Sequence, residues 1–288
     1  AMALPGAPAG PPAGARSAFA DNLKVVLVAG VIAGHAAMAW TGNEAWVLEE
    51  PPVREPLLTL LNMLALAAVL FAMALFFLIA GWFTPRSLER KGTVRFLADR
   101  AVRLGVPLVF YVLALAPIVE DADVGDNAAW DRGFPAFILH SWRNPSPGPT
   151  WFLEVLLVFS VVYAVVRAKF PRRGILPAPR SSRLLPSVAL LTAAACYALR
   201  LVVPFDDEPF QDLFIAQAPA WVAGFVLGIA GAEGGWLDRL GRRPARRLFW
   251  TAWSAVAALM VAVSLEVGLA GGDIDRFFGG PTWQSLVL

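Results

Sequence analysis

A chain of 288 residues that is 58% hydrophobic and only 16% charged, with a mean hydropathy of +0.61, is too apolar for a water-soluble domain, because soluble proteins carry about a quarter charged residues. The single cysteine, Cys196, excludes a disulfide framework, and two histidines, His35 and His140, are too few for a histidine-rich centre, so no metal site is expected. The formal net charge of +2 is too small to indicate nucleic-acid binding, and no nucleic-acid partner is expected.

The chain opens with a stretch rich in Pro, Gly and Ala, and residues 1–18 are expected to form a flexible tail ahead of a membrane domain over residues 19–288. A membrane helix needs roughly 20 mostly apolar residues. Seven stretches qualify, and the chain ends on what resembles the start of an eighth. The pattern predicts an all-α, polytopic transmembrane helix bundle in a lipid bilayer, with spans near residues 22–41, 57–83, 100–119, 151–167, 184–203, 212–231 and 247–269.

The distribution of basic residues predicts the orientation of these spans. If the N-terminus is cytoplasmic, the inside segments hold 19 of the 24 lysines and arginines. Lysine and arginine accumulate on the cytoplasmic side of membrane proteins. We therefore predict a cytoplasmic N-terminus in a multi-pass protein of the cytoplasmic (inner) membrane. The basic residues left outside are Arg54, Arg132, Arg143, Arg200 and Arg276.

His35 is the first ionisable side chain expected at membrane depth. Such residues are costly in lipid and often functional. Lys24, eleven positions earlier, falls on the same helix face roughly 16 Å away, at 1.5 Å per residue. Histidine takes up and returns protons near neutral pH, which suits a catalytic base. A hydrogen bond between helices explains His35 equally well, and Lys24 alone is typical of a lysine snorkelling at a helix end.

Arg100 and Arg103 form the second group, at the predicted cytoplasmic entrance of the third span. Their spacing places both on one helix face, and two forked guanidinium groups suit a phosphate or pyrophosphate. Taken alone, the pair is more typical of a segment that only determines membrane orientation. Asp99 beside it would partly neutralise the two charges.

Trp151 and Glu154 form the third group, at the predicted outer end of the fourth span. Tryptophan is common at membrane interfaces, whereas a carboxylate one turn into a span is less ordinary. Glu154 either pairs with a cation such as Arg200 or helps to hold a polar substrate. His140, in the preceding outer loop, is expected to be solvated.

The order and spacing of these segments resemble the acyltransferase 3 family of integral-membrane acyltransferases, which includes O-antigen acetyltransferases. The opening FADNLKVVLVAGVIAGH is similar to the family's basic-x10-His signature, residues 73–111 resemble its second-to-third-span segment ending in RxxR, and TWFLEVLLVFSVVY resembles its fourth span. The final third of the chain is similar to the glucans biosynthesis protein C branch in particular.

The resemblance implies transfer of an acetyl or succinyl group from cytoplasmic acyl-CoA, bound only as acyl donor, to a hydroxyl of an extracytoplasmic carbohydrate. It assigns the catalytic base to His35, the CoA phosphates to Arg100, Arg103 and Lys24, and substrate contacts to Trp151, Glu154 and Arg200. The family commonly has arginine where this chain has Lys24, and it has more spans than are found here, so the chain is expected to be a C-terminally truncated piece that is inactive alone.

Two other functions fit parts of the pattern. A transporter or exporter of a small or lipid-linked solute could use His35 and Glu154 in a proton relay, although no repeat typical of transporters is evident. A membrane scaffold would require neither His35 nor Arg100. Acyl transfer is the function that the sequence favours.

Overall fold

The computed structural model describes residues 18–41, 50–67, 71–122, 133–143, 145–170, 184–203, 215–235 and 242–269. Throughout these residues the regular elements are helices, and none of them forms a strand. The helices are α1 (Ala18–Met38), α2 (Leu57–Ala67), α3 (Met73–Lys91), α4 (Thr93–Arg100), α5 (Val106–Phe110), α6 (Ala116–Ala122), α7 (Phe134–Arg143), α8 (Trp151–Lys169), α9 (Leu184–Arg200), α10 (Ala218–Gly234) and α11 (Arg242–Leu269).

The helical class and the membrane character of the prediction are confirmed. Three described helical stretches are long and apolar enough to cross a bilayer, namely Thr93–Val119, Ser141–Lys169 and Ile215–Gly234. Shorter apolar helices occupy Val25–Met38, Leu185–Arg200 and Ser254–Val263. The count of seven spans and the cytoplasmic N-terminus stay predictions, and the tail and the start of an eighth span lie outside the described residues.

The helix boundaries differ most from the prediction between the second and third expected spans. The stretch 57–83 corresponds to two helices, α2 and α3, and α3 continues to Lys91. Gly92 then separates α3 from α4 with a φ of 72°, a conformation that glycine adopts without strain. Its N–H donates to the Leu88 carbonyl at 2.8 Å, and its carbonyl accepts from the Phe96 N–H at 2.9 Å. The expected cytoplasmic loop is therefore a tight helical hairpin.

The run from α4 to α6 contains two π-helical turns, Ala101–Gly105 and Tyr111–Leu115. A π turn leaves local backbone groups with altered partners and is frequent at functional sites. At the second turn the Trp142 indole N–H donates to the Leu113 carbonyl at 3.1 Å, which ties α7 to this helix. The first turn begins directly after Arg100 and contains Arg103.

Helices α3 and α10 pack closely along their length through glycines. A Cβ added to Gly224 would overlap the Ala74 carbonyl, and one added to Gly228 would overlap the Leu78 carbonyl. Gly81 lies in the same way against the backbone of Phe225 on α10. Small residues spaced by four positions let membrane helices approach to backbone contact, so the glycines of α10 serve packing, as their spacing indicates.

Aromatic side chains fill the space between α3, α8 and α10. Phe77 is fully buried, with ring centroids 4.7 Å from Phe152, 5.2 Å from Phe159 and 5.9 Å from Trp221. Phe159 also lies 5.1 Å from Phe225. Tilted rings at these separations attract each other beyond their burial alone. The cluster packs the three helices together beside a cavity that Phe152 also lines.

Candidate functional site

A cavity of about 670 Å³ lies between α1, α3, α4 with the following π turn, and α8. Among the described residues it is lined by Val28, Phe76, Ile79, Ala80, Phe83, Arg86, Ser87, Arg90, Lys91, Asp99, Arg100, Arg103, Phe152 and Leu156. Its volume falls within the range of small-molecule and cofactor pockets.

The cavity is polar at one end and apolar at the other. Its α3 wall extends from Phe76 to Lys91, which is about 22 Å along the helix axis at 1.5 Å per residue. The end near Phe76 is aromatic and aliphatic, and Phe152 and Leu156 of α8 complete it. The end near Lys91 carries the basic side chains. This arrangement suits an elongated ligand with an anionic head and an apolar arm.

Arg100 is held against the α3 wall at the basic end. Its Nη2 donates to the Thr84 hydroxyl at 3.4 Å, and its guanidinium carbon lies 5.3 Å from the centre of the Phe96 ring. The Thr84 hydroxyl donates in turn to the Ala80 carbonyl at 2.7 Å, which leaves its oxygen lone pairs for Arg100. These neutral contacts orient the guanidinium group while it keeps its positive charge for a ligand.

Asp99 bridges two other cations of the cavity. Its Oδ2 lies 2.7 Å from the Lys91 Nζ on α3, and its Oδ1 lies 2.9 Å from the Arg103 Nε in the π turn. The predicted Arg100 and Arg103 pair therefore lines one cavity, but the two arginines have different partners. Of the two, only Arg103 is ion-paired with Asp99.

His35 lies on α1, the helix that contributes Val28 to the wall of the cavity. Its Nδ1–H donates to the Val31 carbonyl at 2.9 Å, so in this tautomer Nε2 carries the lone pair. His35 follows Val28 by about two helical turns, and the two residues lie within about 20° of each other around the helix axis. The face of α1 that contributes Val28 to the cavity is thus the face that bears His35, although His35 is not itself among the lining residues.

Lys24 lies one helical turn before Val28 on α1. The backbone of Lys24 is described, but its side chain is not, so the phosphate-binding role stays a prediction. The same holds for the expected solvation of His140, whose backbone belongs to α7.

The family of the chain follows from its similarity to known proteins. The model of the acyltransferase domain of acyltransferase 3 proteins matches residues 17–287, nearly the whole chain. The chain belongs to the acyltransferase 3 family. This membership supports a membrane acyltransferase and confirms the family that the sequence resembled. No curated protein and no solved structure gives a significant match, and the branch within the family stays a prediction.

Arg86, Arg90 and Lys91 of this acyltransferase line the cavity and were not predicted as site residues. The sequence predicts them only as determinants of orientation, since the predicted span ends at residue 83. The signal was present in their spacing: Arg86 and Arg90 follow Phe83 at the intervals of one helix face. Continuing the helical projection past the first charged residue would have placed them with the rest of the α3 wall.

Trp151 belongs to the core beside the cavity. Its ring centroid lies 4.7 Å from that of Trp221, with 33° between the planes, and 6.4 Å from that of Phe152, which does line the cavity. Glu154, one turn further along α8, is half-buried and has no hydrogen-bond or ion-pair partner among the described residues. Neither residue is among those lining the cavity.

Arg200 lies at the end of α9. It is only 2% exposed, and α9 packs against α10 and the turn Ile215–Gln217. The ion pair between Glu154 and Arg200, one of the two roles considered for Glu154, does not form between these described side chains. The substrate-binding roles of Trp151, Glu154 and Arg200 stay predictions.

Proposed function

We propose that this acyltransferase moves an acetyl or succinyl group from cytoplasmic acyl-CoA to a hydroxyl of an extracytoplasmic glycan, as a multi-pass protein of the inner membrane. The observation that carries the proposal is the two-ended cavity. Acyl-CoA has its phosphates at one end and a thioester on a flexible arm at the other, so its charge distribution matches that of the cavity walls.

The basic end would hold the CoA phosphates. Arg100 presents a forked set of donors that its contacts with Thr84 and Phe96 leave positively charged. Arg86 and Arg90 line the same end, and Lys24 is assigned to it by its place on α1. Guanidinium groups bind phosphate through paired hydrogen bonds, which fixes both the position and the direction of the donor.

The apolar end would receive the pantetheine arm and the thioester. Phe76, Phe83 and Phe152 contribute rings to this part of the wall. An apolar wall excludes bulk water, which would otherwise hydrolyse the thioester. The donor would thus lie along α3, with its phosphates near Lys91.

His35 would act as the general base at the acyl end of the donor. The Nε2 lone pair takes the proton of the acceptor hydroxyl as the hydroxyl oxygen attacks the thioester carbonyl carbon. Collapse of the tetrahedral intermediate breaks the carbon–sulfur bond and gives the acyl ester. The CoA thiolate leaves and receives the proton from the imidazolium, so His35 returns to its starting form.

The rival function, transport of a small or lipid-linked solute, has no comparable support from the described residues. Membership of an acyltransferase family favours acyl transfer over it. The scaffold function requires no cavity of this kind.

The test uses the purified full-length protein reconstituted in liposomes, with radiolabelled acetyl-CoA or succinyl-CoA added on the cytoplasmic side and glycan acceptor on the other. Acyl transfer predicts label on the acceptor and release of free CoA in equal amounts. Movement of unmodified solute without any acyl-CoA would support the transporter and contradict the proposal.

A further inference from the structure

We propose that the Asp99 carboxylate, which pairs with two cations of the cavity, competes with ligand phosphates for them. It thereby selects ligands bearing several phosphates over ligands bearing one. The inference rests on the proposed function, because it takes CoA to be the ligand of the basic end. The proposed function names only the groups that attract the donor. The role of Asp99 adds a group that determines which anionic ligands bind.

Asp99 makes the contacts that a bound phosphate would make. One carboxylate oxygen meets the Lys91 ammonium group at 2.7 Å, and the other meets the Arg103 guanidinium group at 2.9 Å. Phosphate oxygens, like carboxylate oxygens, accept hydrogen bonds from pairs of cations at similar distances. A ligand phosphate that engages Lys91 or Arg103 must therefore compete with this carboxylate.

The other charges of the cavity set the direction of the effect. Asp99 is the only carboxylate among the described lining residues, against four arginines and one lysine. Arg100 contacts the neutral groups of Thr84 and Phe96 and is not ion-paired with Asp99. A ligand with one phosphate gains few contacts if it leaves Asp99 in place, whereas CoA, with a pyrophosphate and a 3′-phosphate, can reach several basic groups at once.

The exposure of the bridge makes displacement feasible. The side chains of Asp99 and Lys91 are 26% and 21% exposed, and that of Arg103 is 73% exposed. Ion pairs that solvent reaches contribute little, about a factor of two to five each in an equilibrium constant. A ligand with several phosphates can displace two such ion pairs. The pairs still lower the affinity of the cavity for ligands with a single phosphate.

A structural role for Asp99 predicts the opposite result. The carboxylate joins Lys91, at the end of α3, to Arg103, beyond α4, and so spans the hairpin around Gly92. If the carboxylate serves to join these two parts, its removal loosens the basic end of the cavity and lowers the affinity for every anionic ligand. The sign of the change in affinity therefore separates the two roles.

The experiment measures binding of CoA and of 4′-phosphopantetheine by calorimetry, using full-length protein in phosphatidylcholine nanodiscs, which offer no anionic headgroup to compete. Asp99→Asn is expected to raise affinity for 4′-phosphopantetheine by roughly four- to 25-fold, the combined effect of losing two partly exposed ion pairs. Affinity for CoA should rise less, so the preference for CoA shrinks. Asp99→Glu keeps the carboxylate and should retain that preference.

Glu89→Gln is the matched control. Glu89 is an exposed carboxylate on α3 that is not among the lining residues of the cavity, so its change removes the same charge from the same hairpin. It should leave the ratio of the two affinities unaltered. An equal rise with Glu89→Gln would assign the effect to overall charge and overturn the role of Asp99.

Two further results would overturn the inference while leaving the proposed function standing. In one, the wild-type protein binds CoA, but Asp99→Asn binds CoA and 4′-phosphopantetheine no more tightly than the wild type does. The other is an Asp99→Asn variant that fails to fold, because that would show the carboxylate to be a structural link. Wild-type protein that does not bind CoA would instead contradict the proposed function itself.

Discussion

The two faces of α3 carry out different tasks with the same backbone. One face, with Phe77, Gly81 and Leu88, is buried and lies against neighbouring helices. The other, from Phe76 to Lys91, forms one wall of the cavity. The first face is buried because the backbones of α3 and α10 lie in contact. The second face carries the long charged side chains, which line the cavity instead of packing against a helix.

This contrast indicates how a helical membrane protein can hold charge without losing rigidity. Glycines on α10 bring its backbone against that of α3, so the face of α3 that bears Phe77 is closed by packing. The face that lines the cavity stays open to a ligand. Preorganised donors bind tightly because little ordering is left to occur on binding. The closed face should therefore determine stability, and the open face should determine affinity and turnover.

The largest expected effect belongs to His35, whose replacement should alter the chemical step and leave binding of the donor unchanged. His35→Ala should lower the rate of acyl transfer by about 10²–10⁴-fold, the usual contribution of a general base. CoA affinity and thermal stability should stay at wild-type values. The rate is measured by label transferred to acceptor, and retained turnover would remove His35 from the mechanism.

The second-largest effect is expected at Arg100, which lines the cavity beside the open face of α3. Arg100→Gln should weaken CoA binding by about 10- to 100-fold, the range for losing hydrogen bonds to a charged group, with little change in Tm. Calorimetry on the reconstituted protein measures the affinity.

Arg95→Gln is the control for Arg100, since Arg95 is an exposed arginine on α4 that is not among the lining residues of the cavity. Its affinity for CoA should match that of the wild type. Equal losses in the two variants would mean that CoA responds to general surface charge and not to the cavity.

The smallest expected effect tests the closed face. Gly228→Ala places a Cβ onto the Leu78 carbonyl and the Trp82 backbone nitrogen, and should lower the free energy of unfolding by about 1–3 kcal/mol, the cost of overpacking. Thermal unfolding in detergent measures the change. Gly105→Ala, where nothing lies within 4 Å of the added Cβ, should be neutral, and a similar loss there would contradict the packing argument.

The sequence predicts the helical class and the membrane character because the apolar length of a segment can be read from its composition. It also predicts that Arg100 and Arg103 belong to one site, since their spacing is local. The hairpin at Gly92 was missed because α3 continues through Pro85 and four charged residues, Arg86, Glu89, Arg90 and Lys91, that lower the hydropathy. Hydropathy indicates which part of a segment can lie in the membrane, but it does not indicate where the helix ends.

The partners of the site residues required three-dimensional packing. Nothing local to Asp99 indicates that it joins Lys91 across the hairpin, because that contact depends on the turn at Gly92. Likewise, nothing local to Trp151 indicates that its ring packs on Trp221 of a helix distant in sequence. The burial of Arg200 also depends on tertiary packing, that of α9 on α10 and on the turn Ile215–Gln217.

Accessibility of the cavity from the cytoplasm, and its occupation by CoA, tests the account most directly. Ser87 lines the cavity, and Cys196, the only cysteine of the chain, is buried. Ser87→Cys in a Cys196→Ser background can be labelled with a membrane-impermeant maleimide, with Val94→Cys, 82% exposed on α4 and not among the lining residues, as the matched control. We predict that reagent on the cytoplasmic side labels both variants and that CoA protects only Ser87→Cys. Labelling of Ser87→Cys from the opposite side alone, or labelling that CoA does not slow, would contradict the account.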